Sequence, residues 1–283
     1  MNAVEMKNVT KSYQDFKLDG INLTLPSGCI MGLVGENGAG KSTTIKLIMN
    51  AIESNSGSVT VFGVDNKEKP FTYLKEEIGI VLDEAYFPEV LNAKQVNAIM
   101  KNTYKNWDEE CYFSYLNRFG LPLKKSFKDY SRGMKMKLAI ATALSHNPKL
   151  LLLDEATSGL DPMVRDEILD IFNEFTRDES HSILLSSHIT SDLEKICDYI
   201  TFLHQGKLIF SEEKDRLLEK YGMLHCSKSD FDTLDKETIL GYRDMGYSYE
   251  VLVKREDISR EYQIEKANIE EIVLLLVKGE KQK

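Results

Sequence analysis

The stretch GENGAGKST, residues Gly35–Thr43, restricts the possible folds of this chain more than any other feature. It fits the pattern G-x-x-x-x-G-K-[ST] and stands between an apolar run, CIMGLV, and a segment with helical spacing, STTIKLIMNAI. A strand, a glycine-rich turn and a helix in this order place backbone N–H groups around phosphate oxygens. The alternative is a glycine-rich turn with a solvated lysine, but the flanking strand and helix favour a phosphate-binding loop.

The residues of this loop have separate predicted roles. Glycines let the backbone curl around phosphate oxygens without obstruction, and the start of the following helix adds a favourable dipole. Lys41 is expected to reach the β- and γ-phosphates, and the hydroxyl of Ser42 to bind Mg²⁺. The predicted nucleotide-binding residues are therefore Gly35, Glu36, Asn37, Gly38, Ala39, Gly40, Lys41, Ser42 and Thr43.

A second motif, LLLLDE (Leu150–Glu155), places two acids at the end of an apolar strand. In open α/β sheets, ligands bind at the carboxyl ends of the strands. Asp154 is therefore predicted to hold Mg²⁺, and Glu155 to polarise a water that attacks phosphate. The alternative is that both acids cap the next helix, and their occurrence with the phosphate loop disfavours it.

The wider pattern predicts an α/β fold, a P-loop NTPase with a mostly parallel core sheet. Runs such as LLLLDE and SILLSSH alternate with helical segments, so helices are expected on both faces of that sheet. Alternating residues at Val4–Tyr13 and Leu18–Leu25 predict an antiparallel β subdomain. Residues 89–147 indicate an inserted helical subdomain. The motifs end near residue 212, which predicts a main domain at 1–212 and a small C-terminal extension at 213–283.

The extension has one readable feature. Near its end, the stretch ANIEEIVLLLVKG predicts a helix, and its apolar side packs into a core by default. The residues on that side are Ile269, Ile272, Val273 and Leu276.

The overall charge argues against a nucleic-acid partner. The chain carries 36 Lys and Arg against 45 Asp and Glu, a formal charge of −9, whereas domains that grip nucleic-acid backbones are usually basic. Its four cysteines lie far apart without a CxxC pair, so we expect reduced thiols in a cytosolic protein. We also expect no signal peptide and no membrane-spanning helix, because no apolar run is long enough.

Four further features, in a fixed order, make the chain resemble the ATP-binding cassette (ABC) family across roughly residues 3–210. Tyr13 stands where an aromatic ring of the family stacks on adenine, with Phe16 as the nearby rival. YSRGM (Tyr130–Met134) stands where the family signature, usually LSGGQ, begins a helix. SGLD (Ser158–Asp161) matches the family's D-loop, and His188, after SILLSS, matches its switch histidine.

The resemblance implies a head-to-tail dimer, as a homodimer or with another cassette, in which each chain completes the ATP site of the other. The residues implied to contact the partner's nucleotide are Ser131, Arg132, Gly133 and Asp161. A helix start at Ser131 suits a negative γ-phosphate. The alternative for Ser131 is an ordinary N-cap, and Asp161 would start the next helix in either case. His188 either bonds the γ-phosphate or is a satisfied core histidine.

The chain departs from the family pattern at three positions. The signature has Arg132 instead of glycine and Met134 instead of glutamine, and Arg132 either reaches a phosphate of the partner or lies in solvent. Asp83 stands where the family usually has a glutamine near Mg²⁺, and a carboxylate there could still approach the metal. The neighbouring stretch Glu84–Gln95 either grips a helix of a transmembrane subunit, as in the family, or packs Tyr86 and Phe87 against the helical insertion.

These observations predict a cytosolic ATPase subunit, requiring ATP and Mg²⁺, that energises a separate transmembrane permease from the cytoplasmic face of the membrane. The resemblance favours export of an amphipathic compound. A cassette that remodels DNA or ribosomes is disfavoured, since Lys41 and Ser131 are only 90 residues apart and the chain holds one cassette. A sensor or immunity component whose ATP cycle signals instead of pumping remains the alternative.

Overall fold

The computed structural model describes residues 1–83, 87–258 and 262–279. The strands are β1 (Asn2–Ser12), β2 (Lys17–Pro26), β3 (Ile30–Val34), β4 (Ser56–Val61), β5 (Val64–Asp65), β6 (Ile78–Val81), β7 (Leu150–Asp154), β8 (Ser182–Ser187), β9 (Tyr199–His204), β10 (Lys207–Glu213), β11 (Tyr221–Ser227), β12 (Ile239–Asp244), β13 (Ser248–Lys254) and β14 (Ile264–Lys266). The helices are α1 (Lys41–Ile48), α2 (Pro70–Leu74), α3 (Ala93–Thr103), α4 (Glu109–Arg118), α5 (Arg132–Leu144), α6 (Pro162–Phe175), α7 (Thr190–Ile196), α8 (Lys214–Lys220), α9 (Lys228–Phe231) and α10 (Ile269–Lys278).

The central sheet has six strands in the order β10-β9-β3-β8-β7-β6. All neighbours are parallel except the β10–β9 pair. Every residue of β3 and of β7 is buried, because strands covered on both faces must be apolar along their whole length. One face packs on helices that include α5, α6 and α7. The other packs on α1 and on the sheet that contains β1, β2 and β4. The predicted mostly parallel sheet with helices on both faces is confirmed.

A second sheet, in the order β2-β1-β4-β5, is antiparallel throughout. Buried residues of β2 alternate with exposed ones, as expected for a sheet with one face on a core. The predicted pair of antiparallel strands near residues 4–13 and 18–25 is therefore confirmed by β1 and β2.

Between residues 87 and 149 the structure contains helices and no strand, as the sequence predicted. Polar side chains start each helix: Asn92 forms a capping box with Gln95 before α3, Asp108 caps α4 and Ser131 caps α5. Tyr112 and Leu116 of α4 are buried in the same cluster as the central strands, so this insertion packs beside the sheet.

The C-terminal extension forms its own antiparallel sheet, in the order β12-β13-β11-β14. Its last helix, α10, buries Ile269, Ile272 and Leu275 in one cluster with Leu193 and Ile196 of α7. The backbone N–H of Ile269 also donates to Glu194 Oε1 at 2.5 Å. The extension thus packs on the helix that follows His188, and the predicted boundary near 212 falls inside β10.

Within residues 1–83, 87–258 and 262–279, no helix has both the length and the apolar character that crossing a membrane requires.

Candidate nucleotide site

The phosphate loop connects β3 to α1 and depends on glycine at several positions. Gly38 and Gly40 have φ angles of +83° and +113°, a region that other residues rarely adopt. Gly35 lies so close to β9, the neighbour of β3 in the sheet, that a Cβ would be 2.5 Å from Leu203 O. The loop therefore keeps its backbone open toward the cavity in front of it, as a phosphate cradle requires.

Lys41 is folded back over this loop. It is only 6% exposed, and its Nζ donates to Gly35 O at 2.7 Å. The same Nζ lies 3.1 Å from Glu155 Oε1. The phosphate-loop cation and the acid at the end of β7, which are 114 positions apart in the sequence, thus form a buried ion pair.

Glu155 also contacts His188. Its Oε2 lies 2.7 Å from His188 Nδ1, and since a carboxylate accepts, the imidazole carries its proton on Nδ1. Glu155 has a left-handed φ of +53°, which turns its side chain from the strand end into the site. The structure therefore brings together three residues that the sequence predicted separately: Lys41, Glu155 and His188.

Ser186, on β8, is a site residue that the sequence analysis missed. Its buried hydroxyl donates to Asp154 Oδ1 at 2.7 Å and accepts from the Glu155 N–H at 3.1 Å. The sequence pointed to Ser186 only in part: Ser186 and Ser187 are the polar end of the apolar run SILLSS, which suggested a strand that ends near the site. Parallel pairing of β7 with β8, which matches Asp154 to Ser186, was the missing information.

A cavity of about 470 Å³ lies in front of these groups. Asp83 and Glu155 line it together with Lys41 and Ser42 of the loop. Within the described residues, no cluster of three or more His, Cys, Asp or Glu side chains could hold a metal by itself. The carboxylate and hydroxyl oxygens around this cavity are nevertheless the ligand type that Mg²⁺ prefers, and Mg²⁺ commonly completes its shell with substrate phosphates and water. The residues present therefore fit Mg²⁺ bound together with a nucleotide.

The two candidate aromatic residues differ in position. Phe16 lines the cavity, whereas Tyr13 is not among its lining residues and is 48% exposed. The two ring centroids are 6.3 Å apart, and Lys11 Nζ lies 5.4 Å from the Tyr13 ring. The role of Tyr13 as an adenine platform stays a prediction, and Phe16 is the ring at the cavity itself.

His204, at the end of β9, contacts the phosphate loop without any signal for this in the sequence. Its Nδ1 donates to Glu36 Oε2 at 3.0 Å. Burial alone would raise the pKa of Glu36, but the hydrogen bond from His204 and backbone N–H groups hold it below the usual value. Glu36 therefore stays ionised, and its hydrogen bond with His204 connects the phosphate loop to the end of β9.

The signature segment YSRGM and the SGLD loop each contain the start of a helix. Ser131 Oγ accepts from the Met134 N–H at 3.3 Å, and Asp161 Oδ1 accepts from the Val164 N–H at 3.1 Å. Both residues are thus N-caps, of α5 and α6, which is compatible with a further contact to a second chain. Arg132 is 56% exposed, and its Nη2 lies 3.3 Å from Asp83 Oδ1 of the same chain.

The stretch after Asp83 is described only in part. Glu84 and Tyr86 lie outside the described residues. Phe87 packs edge-on against Phe127, with ring centroids 5.5 Å apart, as the packing alternative predicted for it.

A second cavity, of about 420 Å³, lies between residues 188–191 and the C-terminal extension. Gly35, Glu36 and His188 line one side of it, and Val273 and Val277 of α10 line the other. The extension therefore reaches the surroundings of the nucleotide site.

The strand–loop–helix cradle, the lysine above it and the paired acids at the end of β7 define a P-loop nucleoside triphosphatase. Comparison with known proteins narrows this class. The family model for ABC transporters matches residues 18–158. The lantibiotic transport ATP-binding protein SrtF of Streptococcus pyogenes is 35% identical over 215 residues, which is 75% of this chain and 91% of that protein.

Two more similarities agree with this match. The bacitracin transport ATP-binding protein BcrA of Enterococcus faecalis is 35% identical over 210 residues, 73% of this chain and 68% of the relative. A solved structure described as the ATP-binding subunit of an ABC transporter is 28% identical with a TM-score of 0.69, covering 76% of this chain and 91% of that one. The chain belongs to the ABC transporter family as an ATP-binding protein, an ATPase coupled to transport.

Proposed function

We propose that this chain is the ATP-hydrolysing subunit of an exporter whose membrane pathway is a separate permease, and that it acts at the cytoplasmic face of the membrane. Relatives that are 35% identical are named for lantibiotic and bacitracin transport, which supports an amphipathic compound as the exported substrate. The observation that carries the ATPase part is the joined set of Lys41, Glu155 and His188 beside the phosphate cavity.

The proposed chemistry assigns one task to each of these groups. The loop N–H groups and Lys41 hold the β- and γ-phosphates, because they present positive charge to phosphate oxygens. Glu155 is the base that orients and polarises the attacking water. His188 holds the Glu155 carboxylate from the other side through its Nδ1–H, and the rest of its half-exposed ring is proposed to bond the γ-phosphate.

Mg²⁺ is proposed to be held by Ser42, Asp83 and Asp154. When bound, the metal supplies charge neutralisation between phosphate oxygens. Ser186 keeps Asp154 oriented through the 2.7 Å hydrogen bond between Oγ and Oδ1. Asp83 lines the same cavity as Ser42, which supports a place for its carboxylate near the metal.

The working unit is proposed to be a head-to-tail dimer in which Ser131, Arg132, Gly133 and Asp161 face the nucleotide of the other chain. The start of α5 offers backbone N–H groups and the positive end of a helix dipole to a γ-phosphate. Gly133 leaves room there, since a Cβ would meet only Val164 and Leu160, at 3.8 and 3.9 Å.

The first test replaces Glu155 by Gln, which keeps the shape and removes the base. We expect ATP binding to remain and hydrolysis to fall about a hundredfold or more, with ATP-dependent dimers detected by light scattering. Glu53→Gln, an exposed carboxylate outside the site, is the matched control and should match the parent. Full turnover by the Glu155 variant would refute the proposed base.

The second test asks whether Ser131 acts on the other chain. Lys41→Ala and Ser131→Arg are each expected to block hydrolysis, the first by weakening binding in its own site and the second by blocking the partner's site. A mixture of the two contains hybrid dimers with one site made of intact Lys41 and intact Ser131. Recovered ATPase activity in the mixture supports the dimer, and a mixture as inactive as its components contradicts it.

The export part is tested by reconstituting the chain with a polytopic membrane protein encoded beside it. ATP-driven movement of a labelled amphipathic peptide across the vesicle membrane is the expected result. ATP hydrolysis that responds to the peptide without moving it would instead favour the sensor alternative.

A further inference from the structure

Arg132 and Asp83 form a contact between two parts of the chain. Arg132 is the first residue of α5 in the helical insertion, and Asp83 follows β6 of the central sheet. Their side chains, 56% and 55% exposed, approach to 3.3 Å between Nη2 and Oδ1. The ion pair therefore ties the start of the signature helix to a residue of the nucleotide cavity.

The same guanidinium also lies against Gly159 in the SGLD loop. A Cβ on Gly159 would be 2.6 Å from Arg132 Nη1 and 2.8 Å from Cζ, so a larger residue there would displace the guanidinium. Gly159 has a φ of +65°, which independently favours glycine. Arg132 thus touches the loop after β6 and the loop after β7 at once, although each loop belongs to a different strand of the sheet.

We propose that the Arg132–Asp83 pair is a latch that opens when a metal–nucleotide complex draws the Asp83 carboxylate away from Arg132. The proposal rests on the proposed function in one respect, the role of Asp83 toward Mg²⁺. Closed, the latch holds the start of α5 on the SGLD loop. Open, it frees Arg132 and the first turn of α5, which are surfaces assigned to the opposite nucleotide.

The charges of the groups give the direction of this coupling. Asp83 lines the cavity with Ser42 and Lys41, so a divalent cation bound there competes with Arg132 for its carboxylate. Arg132 is a fixed monovalent cation on a flexible stem, and its exposed pair with Asp83 is worth at most about fivefold in an equilibrium constant. The latch is therefore weak enough for the metal to open and strong enough to be measured.

The test is a titration of the whole chain with ADP by calorimetry, with and without Mg²⁺, since ADP binding to a single chain does not depend on the proposed dimer. Arg132→Ala is expected to bind Mg·ADP two- to fivefold more tightly than the parent, because no pair has to be broken. Without Mg²⁺ the variant and the parent should bind ADP equally. Lys128→Ala, which removes a nearby exposed positive charge, is the control and should match the parent in both conditions.

Asp83→Ala provides the second arm. In that background, Arg132→Ala should have no further effect on Mg·ADP binding, since its partner is already gone. Asp83→Ala alone should weaken Mg·ADP binding; if it does not, the metal role proposed for Asp83 is wrong and the latch fails with it. That outcome leaves the Glu155 and mixing experiments unaffected.

Hydrogen exchange gives a direct view of the opening. Amides of residues 132–136 and 157–161 should exchange faster with Mg·ADP than with ADP alone, and in Arg132→Ala they should be fast in both. Unchanged or weaker Mg·ADP binding by Arg132→Ala, or an equal gain without metal, would overturn the latch. Exchange rates that are the same with Mg·ADP and with ADP alone would also overturn it.

Discussion

Ser186→Ala isolates the hydrogen bond that orients Asp154. Ser186 Oγ donates to Asp154 Oδ1 at 2.7 Å, and both residues are buried. A hydrogen bond to a charged group contributes about 1.5–3 kcal/mol to stability. The Glu155 N–H loses Oγ in the variant but keeps Ser186 O at 3.1 Å, so it adds no unsatisfied donor. We therefore expect a loss of about 1.5–3 kcal/mol in the free energy of unfolding.

For a chain of this size, about 1 kcal/mol shifts Tm by roughly 2–4 °C, so the variant should melt about 3–12 °C below the parent. Ser182→Ala is the matched control, because Ser182 is a buried serine at the other end of β8 whose Oγ accepts from the Gly28 N–H at 3.0 Å. That neutral hydrogen bond is worth about 1 kcal/mol.

The functional readout is the Mg²⁺ concentration that gives half-maximal ATP hydrolysis at saturating ATP. It should rise in Ser186→Ala, because Asp154 is no longer held in one orientation, and stay unchanged in Ser182→Ala. A loss of stability below about 0.5 kcal/mol would show that the hydroxyl does not hold a charged carboxylate. An equal Mg²⁺ response of the two variants would refute the link between Ser186 and the metal.

Two further predictions concern Lys41 and Asp192. Lys41→Ala should weaken ATP binding about tenfold to a hundredfold, the worth of a charge-assisted hydrogen bond, in titrations with a fluorescent ATP analogue; unchanged affinity would contradict the role given to Lys41. Burial raises the pKa of Asp192 above its usual 3.8, so the folded chain loses stability as pH rises through that raised pKa. Asp192→Asn removes this loss, so its stability relative to the parent, measured by urea unfolding, should increase as the pH rises above the ordinary Asp value of 3.8. A difference that is constant with pH would refute it.

The features that the sequence predicted correctly are local. Strands β3 and β7 could be recognised from their continuous apolar sequence, because strands buried on both faces need no polar positions. The spacing of glycines and of Lys41 was sufficient for the loop, since its geometry is set by backbone angles within a few residues.

The features that the sequence analysis missed depend on which distant parts of the chain meet in space. The latch joins residues 49 positions apart, and Ser186 meets Asp154 across 32 positions. Neither spacing has a pattern in the chain. The sheet of the extension was missed for another reason: its strands place Leu224, Val251 and Val253 in a small core of their own, among residues whose charge concealed the alternation.

The ion pair between Lys41 and Glu155 couples nucleotide binding to the proposed base. As long as Lys41 is paired with Glu155, its charge offsets that of the carboxylate that is proposed to activate water. The incoming phosphates compete for the lysine with several negative charges, so the same exchange that captures the reactant releases the proposed base. With the roles proposed above, binding of the triphosphate is what makes the Glu155 carboxylate available as a base.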